Sequence, residues 1–414
     1  VFPEKRIKLG VFFRNVVSFL LDTFYKLAIC DTERFSKVPI VNRFQCDAIA
    51  PFALLGGNKL ESSTSDSCPG EALQLDLFCC RLMLNHAGRN GIIIFYLSVS
   101  IEMETEHVEN ERNITVVDLF AGCGGMSLGF EKAGVNVVAA YDNWDAAIDV
   151  YRANFQHPVF KRDLSDVSVS EEVAGFAPDI IIGGPPCQDF SQAGKRSEDG
   201  GRAILSVRYA EIIARCKPRF IVMENVPRVR TSKSMEAIRA TLKAQGYGLS
   251  GRVMDASLCG VPQARKRYFL IGCLGAPDGF LDPYLEKGLS DHQMTIREYL
   301  GNELGIDYYF RIPRSYTRRA IFSIDEPSVT IRGVDRPIPP NYKLHPNDAA
   351  DLSQARCLTP KERSRIQTFP ESFKFFGSKT DINQMVGNAV PVNLATYVAR
   401  ALLEYRRDVS DGLR

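Results

Sequence analysis

At 414 residues with 45% hydrophobic side chains, the chain has apolar surface for a large core, which excludes a disordered or fibrous protein and leaves room for about two or three domains. Its 51 basic and 49 acidic residues leave a net charge of +2, which excludes bulk attraction to nucleic acid; any such contact needs local clustering. Eleven cysteines, odd in number and without a Cys-x-x-Cys pair, argue against a disulfide framework or a zinc ribbon, so reduced thiols and no metal are expected.

From residue 1 to about 101 the apolar residues follow no sustained period, and five cysteines crowd there: Cys30, Cys46, Cys68, Cys79 and Cys80. Residues 9–26 suit a helix, but Arg14, Asp22 and Lys26 interrupt the stretch, so neither a signal peptide nor an anchor is expected. No apolar run reaches the roughly 20 residues of a membrane span. At Met103 the composition turns acidic and polar, through Glu104, Glu106 and Glu109. Residues 1–102 are therefore expected to be an extension ahead of a native start at Met103; a partner domain is the other reading.

Residues 114–120 form a buried-strand pattern that ends in the glycine turn Ala121-Gly122-Cys123-Gly124-Gly125, with a helix expected from about Leu128. Glycines at such a turn let the backbone approach a ligand while amides at the helix start point toward it. Ser127 stands where the third glycine of a dinucleotide fingerprint would be, which disfavours a pyrophosphate ligand. A second strand, residues 136–141, ends at Asp142, placed to take ribose hydroxyls. Trp144, the only tryptophan, suits stacking on adenine and core packing equally. Asp163, at another strand end, is placed to accept from an adenine amino group. These residues point to an adenosine-bearing cofactor without phosphates.

The apolar run 178–184 ends in Pro185-Pro186-Cys187-Gln188, which sets a cysteine at the open end of a buried strand. A cysteine there is either a nucleophile or an inert small hydrophobe. Glu224 ends the strand 219–223, where desolvation is expected to raise its pKa and favour a protonated carboxyl. Arg265 and Arg267, two apart on an extended segment, share one face.

Taken in order, Asp118-Leu119-Phe120-Ala121-Gly122-Cys123-Gly124-Gly125, Gly184-Pro185-Pro186-Cys187-Gln188, Glu224-Asn225-Val226, Gln263-x-Arg265-x-Arg267, Leu358-Thr359-Pro360-x-Glu362, Gln367-x-Phe369-Pro370 and Gly387-Asn388-Ala389-Val390-Pro391 closely resemble the DNA cytosine-5 methyltransferase family. The resemblance spans residue 114 to about residue 405. It implies an α/β fold of the S-adenosylmethionine-dependent methyltransferase kind, Rossmann-like, with a mostly parallel sheet, helices on both faces and a small loop-rich target-recognition region. The corresponding boundaries are 103–301 for the catalytic domain, 302–353 for target recognition and 354–414 for the return to the catalytic domain.

The resemblance also implies S-adenosyl-L-methionine as cofactor, held by Phe120, Ala121, Gly122, Cys123, Gly124, Gly125, Asp142, Asn143, Trp144, Asp163, Leu164, Pro186, Asn388, Ala389 and Val390. Cys187 would add to cytosine C6, Glu224 would hold the N3 and amino edge of the base, and Arg267, supported by Arg265, would contact O2. Covalent addition divides one hard step into easier ones, because C5 of cytosine is a poor nucleophile. A free thiol with a pKa near about 8.5 needs neighbouring dipoles or cations to become thiolate at neutral pH. The base must leave the duplex, and Gln188, Phe190, Ser191, Lys195 and Arg196 would lie on the loop that closes over it. Two departures stand out: the family has Glu directly before the tryptophan, whereas this chain has Asn143 preceded by Asp142, and Asp189 sets a carboxylate beside the thiol.

Within the recognition region, residues 308–319 carry Arg311, Arg314, Arg318 and Arg319 among aromatic residues and without an acid, which suits phosphate or guanine contacts; Thr330 and Arg332 follow on a short strand. Double-stranded DNA is the expected partner of a monomer in the bacterial cytoplasm, as the modification enzyme of a restriction-modification system with a separate endonuclease. A transfer-RNA cytosine-5 methyltransferase and an inactive DNA-binding relative are the alternatives.

Overall fold

The computed structural model describes residues 114–186 and 203–410, except 314 and 316, together with strand segments at 49–50, 80–85 and 94–99. The expected helix at 9–26 and the start at Met103 lie outside the described residues. The chain divides into two compact units, residues 1–108 and 109–414.

In the first unit, β1 (Ile49–Ala50), β2 (Cys80–Asn85) and β3 (Ile94–Val99) form an antiparallel sheet in the order β1-β3-β2. Strands occur here where the sequence shows no sustained period.

The second unit is built on β4 (Thr115–Leu119), β5 (Asn136–Asp142), β6 (Val159–Lys161), β7 (Ile180–Gly183), β8 (Phe220–Asn225), β9 (Tyr247–Asp255) and, after the short β10 (Gln263–Ala264), β11 (Lys266–Leu274). All but β10 form one sheet in the order β6-β5-β4-β7-β8-β11-β9. The five strands from β6 to β8 pair in parallel, while β11 runs antiparallel to both β8 and β9. The order reverses between β4 and β7, and ligand crevices form at the carboxyl ends of strands at such a reversal. Because β11 is antiparallel, its amino end arrives at that same edge: Phe269 pairs with Glu224 and Tyr268 with Asn225.

Alternate residues of the strands feed opposite faces. Val116, Val222 and Ile271 pack against α1 (Gly125–Lys132), α6 (Asp282–Lys287) and α10 (Val392–Ser410). Val117, Ile221 and Leu270 pack against α3 (Val169–Ala174), α4 (Ala203–Cys216) and α5 (Lys233–Ala244). Continuous Val/Ile runs follow from burial on both faces. Helix α1 starts at Gly125, three residues before the expected Leu128, because Gly124 takes a left-handed cap conformation (φ 93°). Helix α2 (Asp145–Arg152) follows β5 and carries Tyr151.

The region after β11 contains α7 (Ile296–Leu300) and a small sheet of β12 (Tyr308–Phe310), β13 (Ile321–Ser323) and β15 (Ala355–Cys357). Between these, β14 (Ser328–Val329) pairs in parallel with β10, the short strand just ahead of β11. Its Tyr309, Phe322 and Ile331 share a core with Ile366 of α8 (Pro360–Ile366) and Val386 of α9 (Lys379–Asn388). The return segment thereby anchors the recognition region. Helix α8 begins with a capping box, Thr359 and Glu362, and Pro360 in its first turn.

Candidate active site

A cleft of about 1550 Å³ opens at the carboxyl edge of the sheet. Its lining combines Phe120, Ala121, Gly122, Cys123 and Gly125 after β4, Asp142, Asn143 and Trp144 after β5, Asp163 and Leu164 after β6, Gly184 to Pro186 after β7, Glu224 at the end of β8, and Asn388 to Val390 from the far end of the sequence. Gly124 caps α1 just behind this wall. Cys187, Gln188, Asp189, Phe190, Ser191, Lys195 and Arg196 lie outside the described residues. Pro186, the residue before Cys187, lines the cleft.

Glu224 is 8% exposed, and its Oε1 accepts from Arg267 Nε at 2.9 Å. Burial raises its pKa, with Arg267 and then Arg265 pulling against that rise. A carboxyl balanced in this way can donate or accept a hydrogen bond. Beside it, Asn225 donates to the Pro185 carbonyl at 3.1 Å and so ties the exits of β7 and β8 together.

Arg265 lines the same cleft as Arg267 but donates its hydrogen bonds to main chain. It is 1% exposed and donates to the carbonyls of Ile331, Gly387 and Ala389 at 2.9, 3.0 and 3.1 Å. It clamps main chain, and its charge reaches Glu224 from behind. Gln263 and Gln367 extend this clamp: Gln263 donates to Gln367 Oε1 and accepts from Ile331 N, and Gln367 donates to Val386 O and Ala389 O. At Gly387 a Cβ would stand 2.0 Å from Gly333 N, so only glycine permits this approach.

On the other side of the cleft lies Asp142. Its Oδ2 accepts from Gly122 N at 2.8 Å and its Oδ1 from Trp144 N at 2.9 Å. The carboxylate thus latches two loops together while it lines the cleft. The exposed Asn143 is left at the cleft rim. Trp144 lines the cleft and packs beside Cys123 and Met385. The Cys123 thiol is buried, which pushes its pKa up to about 12 and makes it inert. Asp163 is exposed and accepts from Ser165 N at 2.9 Å, while Leu164 is buried.

The donor set fits S-adenosylmethionine. Asp118, at the floor of the cleft, is 1% exposed, and its buried Oδ1 has no hydrogen-bond partner. A Cβ at Gly122 (φ 56°) would meet nothing within 4 Å, so backbone is bared to the cleft there. An unpartnered acid, open backbone and an indole suit a cationic adenosine compound better than a phosphate ester. Sequence reasoning assigned no role to Asp118, Asn225, Gln263 or Gln367; the signal available was a polar residue inside an apolar or motif segment.

A second cleft of about 680 Å³ is lined by Arg311, Arg318, Arg319 and Arg332, together with His345 and Asn347. Arg319 chelates Glu326 and lies 4.6 Å over the Phe322 ring, so its guanidinium has partners within the protein while it lines this cleft. Thr330 donates its hydroxyl proton to Ala264 O at 2.9 Å, and Arg311 donates to Thr330 O at 2.8 Å. Arg318 is exposed and borders both clefts. Arg314 lies outside the described residues.

The profile of the family described as C-5 cytosine-specific DNA methylase matches residues 114–404. Two relatives are the type II methyltransferase M.HindV of Haemophilus influenzae, 51% identical over 295 residues, and the type II methyltransferase M.HgiDI of Herpetosiphon aurantiacus, 53% identical over 290 residues. The alignments cover 70% of this chain and 97% and 94% of those proteins. Among solved structures, the S. pombe Dnmt2 methyltransferase aligns with a TM-score of 0.53 at 19% identity, covering 70% of this chain and 98% of that one. The Entamoeba histolytica methyltransferase EhMeth aligns with a TM-score of 0.51 at 20% identity, covering 73% of this chain and all of that one. The structures share the fold, and the sequence match with the cleft geometry decides the chemistry: the chain belongs to the C-5 cytosine-specific DNA methylases, the S-adenosylmethionine-dependent DNA cytosine-5 methyltransferases.

Proposed function

We propose that this chain methylates one cytosine within a specific duplex sequence, as the modification partner of a separate restriction endonuclease, and that it acts as a monomer in the bacterial cytoplasm. The observation that carries the catalytic assignment is the Glu224–Arg267 pair at 2.9 Å, seated beside the Gly184 to Pro186 exit toward Cys187 and open to the same cleft as Phe120 and Asn388. S-adenosylmethionine, when bound on the Phe120 side, supplies the methyl group. The Cys187 thiolate forms a bond to cytosine C6, which turns C5 into a carbon nucleophile. Glu224 holds the N3 and amino edge of the flipped base as charge develops there, and Arg267 contacts O2. Loss of the C5 proton with departure of the thiolate restores the ring. Residues 302–353 read the target, with Arg311, Arg314, Arg318 and Arg332 as the basic contacts.

Methyl transfer from labelled S-adenosylmethionine to duplex DNA and to RNA, compared between the wild type and Cys187→Ala, tests this reading. Label in DNA cytosines that vanishes in the variant is expected. Label confined to RNA, or label that survives loss of Cys187, overturns it.

A further inference from the structure

The floor of the cofactor cleft is wired to the protein surface. Ser127 donates to Asp118 Oδ2 at 2.6 Å, and Tyr151 donates to Ser127 Oγ at 2.7 Å. Tyr151 Oη also lies 2.6 Å from His157 Nε2, whose Nδ1 is 3.2 Å from Glu131 Oε1. All three middle groups are sheltered: Ser127 and Tyr151 have no exposure, and the His157 side chain is 9% exposed. Only Glu131, at 35%, meets solvent appreciably.

This chain has two complete hydrogen-bonding arrangements with the same number of protons. In one, Asp118 is protonated and donates to Ser127, Ser127 donates to Tyr151, Tyr151 donates to His157 Nε2, and Nδ1–H faces Glu131. In the other, every bond from Asp118 to His157 is reversed, leaving a carboxylate at Asp118 and an imidazolium at His157. Passage between them breaks the O–H bonds of Asp118, Ser127 and Tyr151 and forms O–H bonds on Ser127 and Tyr151 and an N–H bond on His157. No proton enters or leaves.

We propose that Asp118, Ser127, Tyr151 and His157 form a proton relay that registers charge in the cofactor cleft, sending a proton outward to His157 when the cationic cofactor binds and returning it when the neutral thioether product remains. The proposal rests on the cofactor occupying the Asp118 side of the cleft. With Oδ1 unpartnered, the carboxylate is short of compensation, so a positive charge in the adjoining cleft favours it. Burial holds the Asp118 pKa up at about 7, with the nearby Asp142 carboxylate adding to the rise and Ser127 opposing it, so a protonated Asp118 is accessible near neutrality. The other groups facing the relay are the Tyr209 phenol, which senses Asp118, and Glu131 at the outer end. Tyr151 and His157 are thus positioning residues, acting through Asp118.

Calorimetric titration of the full chain with S-adenosylmethionine and with S-adenosylhomocysteine, in buffers of different ionisation enthalpy between about pH 6 and 8, separates the outcomes. The wild type is expected to bind the cation with a buffer-independent enthalpy, because the displaced proton stays on His157. Tyr151→Phe keeps the ring stacked on Phe155 at 4.2 Å but cuts the relay, and His157→Gln keeps a polar group that cannot hold the proton. Either variant should release a proton on binding the cation and lose affinity for it by up to about tenfold per pH unit below pH 7, with S-adenosylhomocysteine affinity unaffected. Nitrogen NMR of His157 should show a doubly protonated ring with the cation alone. A His157 signal that ignores the cation, or variants that titrate like the wild type, overturns the relay. If Asp118→Asn leaves the preference for the cation over the thioether intact, the placement of the cofactor beside Asp118 is wrong and the proposal falls with it.

Discussion

Asn225 Nδ2 donates to the carbonyl of Pro185 at 3.1 Å, so the chain that leads into Cys187 is tied to the strand end that carries Glu224. Asn225 is 3% exposed, and the bond joins neighbouring parallel strands β7 and β8 just past their last paired residues. Replacing Asn225 by Leu removes the donor and leaves a sheltered carbonyl without it, at a cost of about 1–3 kcal/mol. The expected result is a folded protein with nearly normal cofactor affinity and a methyl-transfer rate reduced by about 10- to 100-fold, through misplacement of the nucleophile. Single-turnover kinetics beside a cofactor titration check this; a rate equal to wild type would sink the positioning role.

Arg265 offers the opposite test, because its guanidinium bonds three main-chain carbonyls and no reacting group is needed to explain it. Arg265→Lys cannot reproduce the planar fork. The loss should fall on stability first, by about 3 kcal/mol in urea unfolding, with cofactor affinity reduced because Ala389 is no longer held. Arg267→Lys, by contrast, should lower the transfer rate with little effect on the unfolding midpoint. If the two variants show the reverse pattern, the division between clamp and site is wrong.

The Asp118 carboxyl carries a pH signature of its own. Its folded pKa of about 7 lies above the ordinary value of 3.8, so the folded chain binds more protons between those limits. Its contribution to stability is fullest below the ordinary value and is lost as pH rises toward and through about 7. Asp118→Asn keeps an acceptor for Ser127 without the ionisation. The variant should therefore gain on the wild type as pH rises from about 4 to 8, with a ceiling of about 4 kcal/mol. Unfolding midpoints across that range measure the difference, and parallel curves for the two proteins would refute the burial argument.

The strands and turns that face the cleft are legible in the sequence because each obeys a local rule. The Val/Ile runs mark doubly covered strands, Gly124 marks a left-handed cap, and Thr359 with Glu362 writes a capping box. What is not legible is which partner a polar side chain finds across long sequence separations. Arg265 and Arg267 look equivalent two residues apart, yet one bonds Gly387 and Ala389, more than a hundred positions on, and the other bonds Glu224. Asp142 stands at a strand end where a ribose ligand is expected, and its bonds to the amides of Gly122 and Trp144 are visible only in the fold. Arg319 belongs to a run of basic residues, and only the fold brings Glu326 against it as an ion-pair partner.

Arg318 and its neighbour Arg319 separate recognition from structure within one dipeptide. Arg318 is exposed at the border of both clefts, whereas Arg319 is held by Glu326 and the Phe322 ring. If Arg318 binds a phosphate, Arg318→Ala should weaken DNA binding at every sequence and reduce the slope of log affinity against log salt by about 1. If it pairs with a guanine instead, the same variant should lose about 1–3 kcal/mol at one position of the target and relax the preference there. Arg319→Ala leaves the Glu326 carboxylate without its partner, so it should lower stability while leaving the salt slope near that of the wild type. Binding measured over a range of salt, on target and scrambled duplexes, distinguishes these outcomes. An Arg318→Ala protein with unchanged slope and unchanged preference would remove Arg318 from the interface.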